Sequence, residues 1–275
     1  MLHFLRQGLM AAFKQPFAVC ILYVYQFAWG ILLYKFVQSV VVPLLHRYPG
    51  SDQPQSAVHL FLAEGQFRLF KTDLIQPYLW WIILLLGIRM LLSPMLSAGV
   101  FYSLEHPNMN AGYRFVKGIR QLLLPFFGFY LLQTLLTLAP LYFLAPKAVH
   151  LFREAISYQE ILISLLPAVF LYILYAFLIQ LFFLFLQFNQ TSDTRTGFFN
   201  VIAVIMKQGL RIAGNALLIA ILGGILAVAT TTVSYVWAGF TALIIQQMYP
   251  FLRMFLKMWS IAAQHQLWRS SRYSG

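Results

Sequence analysis

Charged side chains are scarce in this sequence. Only 9% of its 275 residues are Asp, Glu, Lys or Arg, and 7 of these are acidic. Hydrophobic residues make up 61%, and the mean hydropathy is +0.75. Soluble domains have about a quarter of their residues charged. The composition therefore excludes an ordinary soluble domain and predicts a chain whose main solvent is lipid.

Cysteine and the common catalytic motifs are also lacking. The one cysteine, Cys20, excludes a disulfide or a cysteine-based metal site within a single chain. There is no Walker loop, no His-Glu-x-x-His and no Gly-x-Ser-x-Gly. No carboxylate lies inside an apolar run, as a proton- or sodium-coupled transporter usually requires. We therefore expect no enzymatic activity, no bound metal and no cofactor.

What the sequence has instead is a series of long apolar runs. A bilayer core of about 30 Å requires roughly 20 apolar residues in a helix. Six runs meet this length and predict an all-α, polytopic transmembrane helical bundle in a single domain, 1–275. Their bounds are about 17–42, 78–101, 122–145, 161–188, 212–233 and 240–261. The sixth run contains Gln246, Gln247, Arg253 and Lys257, so a five-span chain with an external C-terminus is the alternative.

The distribution of basic residues predicts the orientation. With the N-terminus inside, cytoplasmic segments contain twice as many of the 19 Lys and Arg residues as external ones, whereas Glu105 and Asp193 are the internal acids. This predicts a multi-pass protein of the bacterial cytoplasmic membrane with both termini cytoplasmic. Because the basic residues lie in short connectors beside apolar runs, the expected partners are anionic lipid headgroups rather than nucleic acid.

The connectors suggest further organisation. Residues 57–71 outside and 196–208 inside have an amphipathic pattern, which predicts short interfacial helices. Basic residues, a glycine and an aliphatic residue recur before the odd-numbered spans, in Arg6-Gln7-Gly8-Leu9, Lys117-Gly118-Ile119-Arg120 and Lys207-Gln208-Gly209-Leu210-Arg211. Three helical hairpins in series would produce this recurrence, and so would a shared preference of inner helix starts for basic residues.

One inner connector carries a family resemblance. Gly112-Tyr113-Arg114-Phe115 leads into a basic helix start. In this and in its span pattern the chain resembles uncharacterised bacterial six-span integral membrane proteins, akin to the membrane domain fused to some glycerophosphodiester phosphodiesterases. The resemblance implies a membrane domain without catalytic residues, since the phosphodiesterase barrel is absent from this sequence.

Arg89 is a candidate intramembrane polar site. It lies about 17 Å into the second span at roughly 1.5 Å per residue, where an ionisable residue is expected to face the bundle interior. Gln26 and Gln133 are predicted at similar depth. A structural role, through hydrogen bonds or by snorkelling, is one interpretation, and binding of an anionic lipid or substrate is the other.

A second candidate is a polar stripe on the sixth span. Gln246, Tyr249, Arg253 and Lys257 are spaced by three or four residues and share one helical face. They could form the wall of a hydrated cavity that opens to the cytoplasm. Alternatively the span ends early, with Arg253 and Lys257 reaching the inner headgroups.

Two functional hypotheses follow. The first is an accessory, scaffolding or permease-like subunit of a membrane complex, since catalytic signatures and a soluble domain are missing. The second is a lipid-handling or solute-transporting membrane protein that binds an anionic group near Arg89.

The predicted orientation can be tested by labelling engineered cysteines. In a Cys20→Ser background, an impermeant maleimide should label Ser51→Cys in intact cells and Ser274→Cys only after lysis. Labelling of both positions in intact cells would indicate five spans. Labelling of position 274 alone would indicate the inverted orientation.

Overall fold

The structure is a computed structural model that describes residues 2–45, 76–154, 158–192, 197–236 and 239–273. Every regular element in these residues is an α-helix, which confirms the all-α prediction. The helices are α1 (Leu2–Phe13), α2 (Pro16–Leu45), α3 (Gln76–Glu105), α4 (Ala111–Glu154), α5 (Tyr158–Thr191), α6 (Phe198–Val236) and α7 (Phe240–Tyr273).

Five of the described helices are long and apolar enough to cross a membrane. These segments are Pro16–Pro43, Tyr78–Glu105, Ala111–Pro146, Ile163–Thr191 and Val201–Val233, and they correspond to the first five predicted spans. They support a helical membrane bundle. The predicted sixth span, 240–261, lies in α7, which is a continuous helix but is not among the five.

α1 is a helix that the sequence analysis did not predict. It ends where the amide of Gln15 donates to the Ala12 carbonyl at 3.0 Å. Pro16 then begins α2, because proline disfavours a helical conformation in the residue before it but suits the first position of a helix. Leu5, Gly8 and Ala12 repeat at helical spacing and are the buried face of α1.

The chain divides into two compact units, residues 1–20 with 94–275, and residues 21–93. We call these the larger and the smaller unit. The single domain 1–275 stays a prediction. α2 and α3 each contribute to both. Within the smaller unit α2 contacts α3 through the hydroxyls of Tyr25 and Ser93, 3.4 Å apart.

The larger unit contains two antiparallel helix pairs. On α4 and α5, Phe129 contacts Phe183, and Tyr175 donates to the Leu136 carbonyl at 3.0 Å. On α6 and α7, Gln264 donates to the Ile212 carbonyl at 2.9 Å. Together with the contact between α2 and α3, these pairs agree with the predicted three hairpins.

The core of the larger unit is concentrated at one end, where α2, α4 and α6 begin and α3 and α5 end. We call this the basal end. Phe101 of α3 packs against Phe126 of α4 and Phe188 of α5, with ring centroids 5.4 and 4.9 Å apart. Trp268 of α7 packs on Phe185 at 5.8 Å. Aromatic rings from four helices thus fill this end.

The two ends of the chain meet at the basal end. The indole of Trp259 on α7 donates to the Leu5 carbonyl on α1 at 2.8 Å. α7 also retraces α6, since Gln264 lies opposite Ile212 and Gly223 lies opposite Leu256. At 34 residues α7 is about 50 Å long, enough to return through a bilayer. The sixth crossing stays a prediction, because α7 is not among the five described helices that are long and apolar enough to cross a membrane.

The predicted interfacial helices have different outcomes. The external one, 57–71, lies outside the described residues. The internal one, 196–208, is not separate, because α6 begins at Phe198 and continues without a break to Val236.

The packing of α1 on α7 depends on Gly8. A Cβ atom at this position would lie 2.5 Å from the Cα of Ala263. Gly8→Ala should therefore destabilise the protein by about 1–3 kcal/mol through overpacking. We expect a smaller monodisperse fraction after heating in detergent.

Gly209→Ala on α6 is the matched control. A Cβ there meets no atom within 4 Å, so the change should be neutral or stabilising by up to ~1 kcal/mol through helix propensity. Equal behaviour of the two variants would contradict the packing of α1 on α7.

Candidate functional site

A groove of about 400 Å³ runs between α5, α6 and α7 in the larger unit. This volume lies within the range of ligand pockets, roughly 300–1,000 Å³. Two of its walls are mainly apolar and are formed on α5 by Phe177, Leu181 and Leu184 and on α6 by Ala216, Ile219, Ala220 and Gly223. The small residues of α6 leave the space that the groove occupies.

The third wall is polar and contains most of the stripe predicted on the sixth span. Tyr249, Arg253 and Lys257 are spaced by four residues along α7, and all three line the groove. Gln246 is exposed one turn before Tyr249. Among the lining residues in the described part of the chain, Arg253 and Lys257 are basic and none is acidic.

The inner end of the groove, near the basal end, contains Gln264. This side chain is 1% exposed, and its amide nitrogen donates to the Ile212 carbonyl, which fixes the carboxamide orientation. Its Oε1 has no hydrogen-bond partner in the structure. Neither side-chain atom of the fully buried Asn215, next to the lining residue Ala216, has a partner. These atoms and Oε1 of Gln264 are closed to solvent, and Asn215 is not among the described residues that line the groove.

At the basal end, Gln15 connects three helices. Its Nε2 donates to the Ser103 carbonyl at the end of α3 at 2.8 Å, and its Oε1 accepts from Nη2 of Arg114 on α4 at 2.7 Å. Nη1 of Arg114 donates to the Pro107 carbonyl at 2.9 Å. Gln15 and Arg114 are 3% and 4% exposed, so these bonds are shielded from water. We call this set of contacts the polar clasp.

A second buried contact attaches α7 to α3. The Nε2 atom of His265 lies 2.6 Å from Oε2 of Glu105, with side-chain exposures of 4% and 15%. The imidazole also packs against Phe188, with ring centroids 5.2 Å apart. This contact holds the basal half of α7 and therefore the polar wall of the groove.

Sequence reasoning missed the polar clasp and the contact between His265 and Glu105. The position of Glu105 could have indicated the second contact. Glu105 is an acid on the predicted cytoplasmic side, where Lys and Arg are in excess. An acid in such surroundings is expected to be paired. Its partner lies 160 residues away, a separation that no local pattern can bridge.

Arg89, Gln26 and Gln133 are not among the described residues that line the groove. Arg89 is exposed, and its guanidinium lies over the Trp29 ring at 5.7 Å from the centroid. Gln26 is half-buried on α2 in the same smaller unit. Gln133 belongs to the larger unit, where its carbonyl accepts from the Thr137 hydroxyl at 2.8 Å.

Comparisons with protein-family models, curated proteins and solved structures give no match. Any function therefore has to follow from the residues themselves.

The polar clasp should contribute to stability. Gln15→Leu would leave the Ser103 carbonyl and a buried guanidinium N–H without their partner, at about 1–3 kcal/mol for each unsatisfied group. We expect a lower midpoint of SDS-induced unfolding in mixed micelles. Gln7→Leu is the control, because Gln7 is exposed and its contact with His3 is long, at 3.5 Å. Equal midpoints for both variants would rule out a structural role for the clasp.

Proposed function

We propose that this chain is a non-enzymatic, multi-pass component of the bacterial cytoplasmic membrane that holds an anionic phospholipid in the groove between α5, α6 and α7. The observation that carries the proposal is the pairing of apolar walls with Arg253 and Lys257 and with no acidic lining residue among those described. Such a surface complements an anionic amphiphile, because its chains can contact the walls while its phosphate meets the cations.

The order of residues along α7 supports one orientation of the lipid. Gln264 lies at the basal end, followed by Lys257, Arg253 and Tyr249 toward the opposite end. A phosphate between the two cations would place its headgroup toward the basal end, which the charge distribution predicts to be cytoplasmic. Its acyl chains would then run past Phe177, toward the apolar part of the bundle.

Arg89 has less support as the binding residue. Its side chain lies against Trp29, and a cation–π contact of this kind already stabilises an isolated guanidinium. The structural interpretation of Arg89 is therefore favoured, and the polar site formed with Gln26 and Gln133 stays a prediction.

The second candidate function is an accessory, scaffolding or permease-like subunit of a membrane complex. It is favoured by four exposed glycines within apolar helices, Gly30, Gly87, Gly128 and Gly224, at which a Cβ would meet no atom within 4 Å. Exposed small residues in membrane helices allow the close approach of another helix. A family relationship to six-span membrane proteins would suit either candidate.

The proposed function predicts that the groove retains lipid during purification. Each Lys or Arg near a membrane surface contributes about 1 kcal/mol to binding of anionic lipid. The double variant Arg253→Gln, Lys257→Gln should therefore lower the affinity for anionic phospholipid by roughly 30-fold. Native mass spectrometry of the full chain in mild detergent would measure this change. Ala220→Phe should weaken binding by filling the groove while both cations are retained.

The control is the double variant Lys207→Gln, Arg211→Gln, which removes two exposed cations of α6 outside the groove. It should bind lipid like the unaltered chain, as should Arg89→Gln. Loss of lipid in Arg89→Gln alone would move the site to Arg89. A preparation without bound lipid that co-purifies with another protein would overturn the proposal in favour of the subunit.

A further inference from the structure

We propose that a polar cavity at the basal end binds a small, water-soluble phosphate ester. The cavity measures about 500 Å³ and lies between the end of α3, the start of α4 and the end of α5, all within the larger unit. We call it the basal cavity. It shares no described lining residue with the groove, so the inference does not rest on the proposed function.

The lining of the basal cavity differs in chemistry from that of the groove. Its volume lies within the range of ligand pockets, roughly 300–1,000 Å³. Besides the Tyr102 ring, the apolar surface that the described residues give it comes from Met109 and Leu122. The other lining side chains are polar: His106, Lys117, Gln121, Gln190, Thr191 and Ser192. Such a lining suits a water-soluble ligand, since it has no apolar wall for acyl chains.

Close packing of α4 on α3 fixes the wall that carries the cation. A Cβ at Gly118 would overlap the Cβ of Tyr102, so a glycine is required for this approach of the two helices. The neighbouring Lys117 lies with its Nζ 5.9 Å from the ring centroids of Tyr102 and Tyr113. The His106 imidazole stacks on Tyr102 at 4.2 Å, and its Nδ1 donates to the Tyr102 carbonyl at 3.3 Å. These contacts hold the wall in place without a ligand.

Three lining side chains have hydrogen-bond donors that a ligand can use. Lys117 and Gln190 are half-buried and Gln121 is exposed, and none of the three makes a hydrogen bond or an ion pair with another residue in the described ranges. The hydroxyls of Thr191 and Ser192 already donate to backbone carbonyls at 2.8 Å. Recognition is therefore assigned to the ammonium group and the two carboxamides.

The charge of the lining favours an anion. Lys117 is basic, His106 can be protonated, and no lining residue among those described is acidic. A phosphate group accepts hydrogen bonds at its oxygens, which suits the Lys117 ammonium and the amide nitrogens of Gln121 and Gln190. The carboxamide oxygens can accept from hydroxyls of the esterified group. The charge distribution predicts that the basal end is cytoplasmic, so the ligand would come from the cytoplasm.

Titration with two soluble probes tests the inference. The full chain in an uncharged detergent would be titrated with inorganic phosphate and with glucose 6-phosphate by isothermal titration calorimetry, and glucose would serve as the uncharged probe. We expect both phosphates to bind and glucose not to bind. Lys117→Gln should weaken both phosphates by roughly tenfold or more, the effect of losing one charge-assisted hydrogen bond.

Arg120→Gln is the matched control. Arg120 is exposed one turn farther along α4 and is not among the described lining residues, so this variant should bind both phosphates like the unaltered chain. Lys117→Arg retains the charge and should retain most of the affinity. Gln190→Leu should weaken binding about fivefold, the effect of one net hydrogen bond, and serves where Lys117→Gln does not fold.

The outcomes separate this site from the groove. Failure of both phosphates to bind, or equal affinities in folded Lys117→Gln and Arg120→Gln, would overturn the inference. Loss of probe binding in the double variant Arg253→Gln, Lys257→Gln would also overturn it, because the soluble phosphate would then lie in the groove. So would binding of phosphatidylglycerol that depends on Lys117 and excludes glucose 6-phosphate, since the cavity would then hold a lipid headgroup. The proposed function is judged separately, by lipid binding in the groove variants.

Discussion

The packing of the larger unit depends on the two hydrogen bonds of one buried carboxamide, that of Gln15. This side chain lies between two helices that run through apolar surroundings, and it uses both its donor and its acceptor. A buried amide with both ends satisfied fixes the separation and rotation of the helices that it joins. The end of α3 and the start of α4 are therefore held at the first residues of α2. Glu105, two residues beyond Ser103, is then positioned to meet His265 on α7.

This arrangement separates two kinds of surface along the bundle. At the basal end, polar side chains and aromatic rings from several helices are packed together and water is excluded. Farther along, leucine, isoleucine and valine are widely exposed on the helices, which suits contact with lipid chains. The groove lies between these regions.

The sequence allowed prediction of features that depend on length and period. Five apolar helices follow from runs of about 20 residues, and the shared face of Tyr249, Arg253 and Lys257 follows from the helical repeat. The apolar walls of the groove on α5 and α6 could not be predicted, because the same apolar residue types occur on helix surfaces that face lipid and on those that line a cavity. The polar clasp was missed since Gln15 and Arg114 are 99 residues apart. α1 was missed because its buried face is short and made largely of Gly8 and Ala12.

The unusual composition of α7 has one explanation in these contacts. Among the polar residues that keep it from resembling a membrane span, Tyr249, Arg253, Lys257 and Gln264 line the groove and His265 lies at the basal end. A helix that only had to cross the bilayer would gain stability from leucine at each position, as polar groups in lipid are costly. For His265 this cost is offset by its contact with the Glu105 carboxylate. The cost of burying Gln264 is offset only in part, because its Nε2 donates to the Ile212 carbonyl while its Oε1 has no hydrogen-bond partner in the structure.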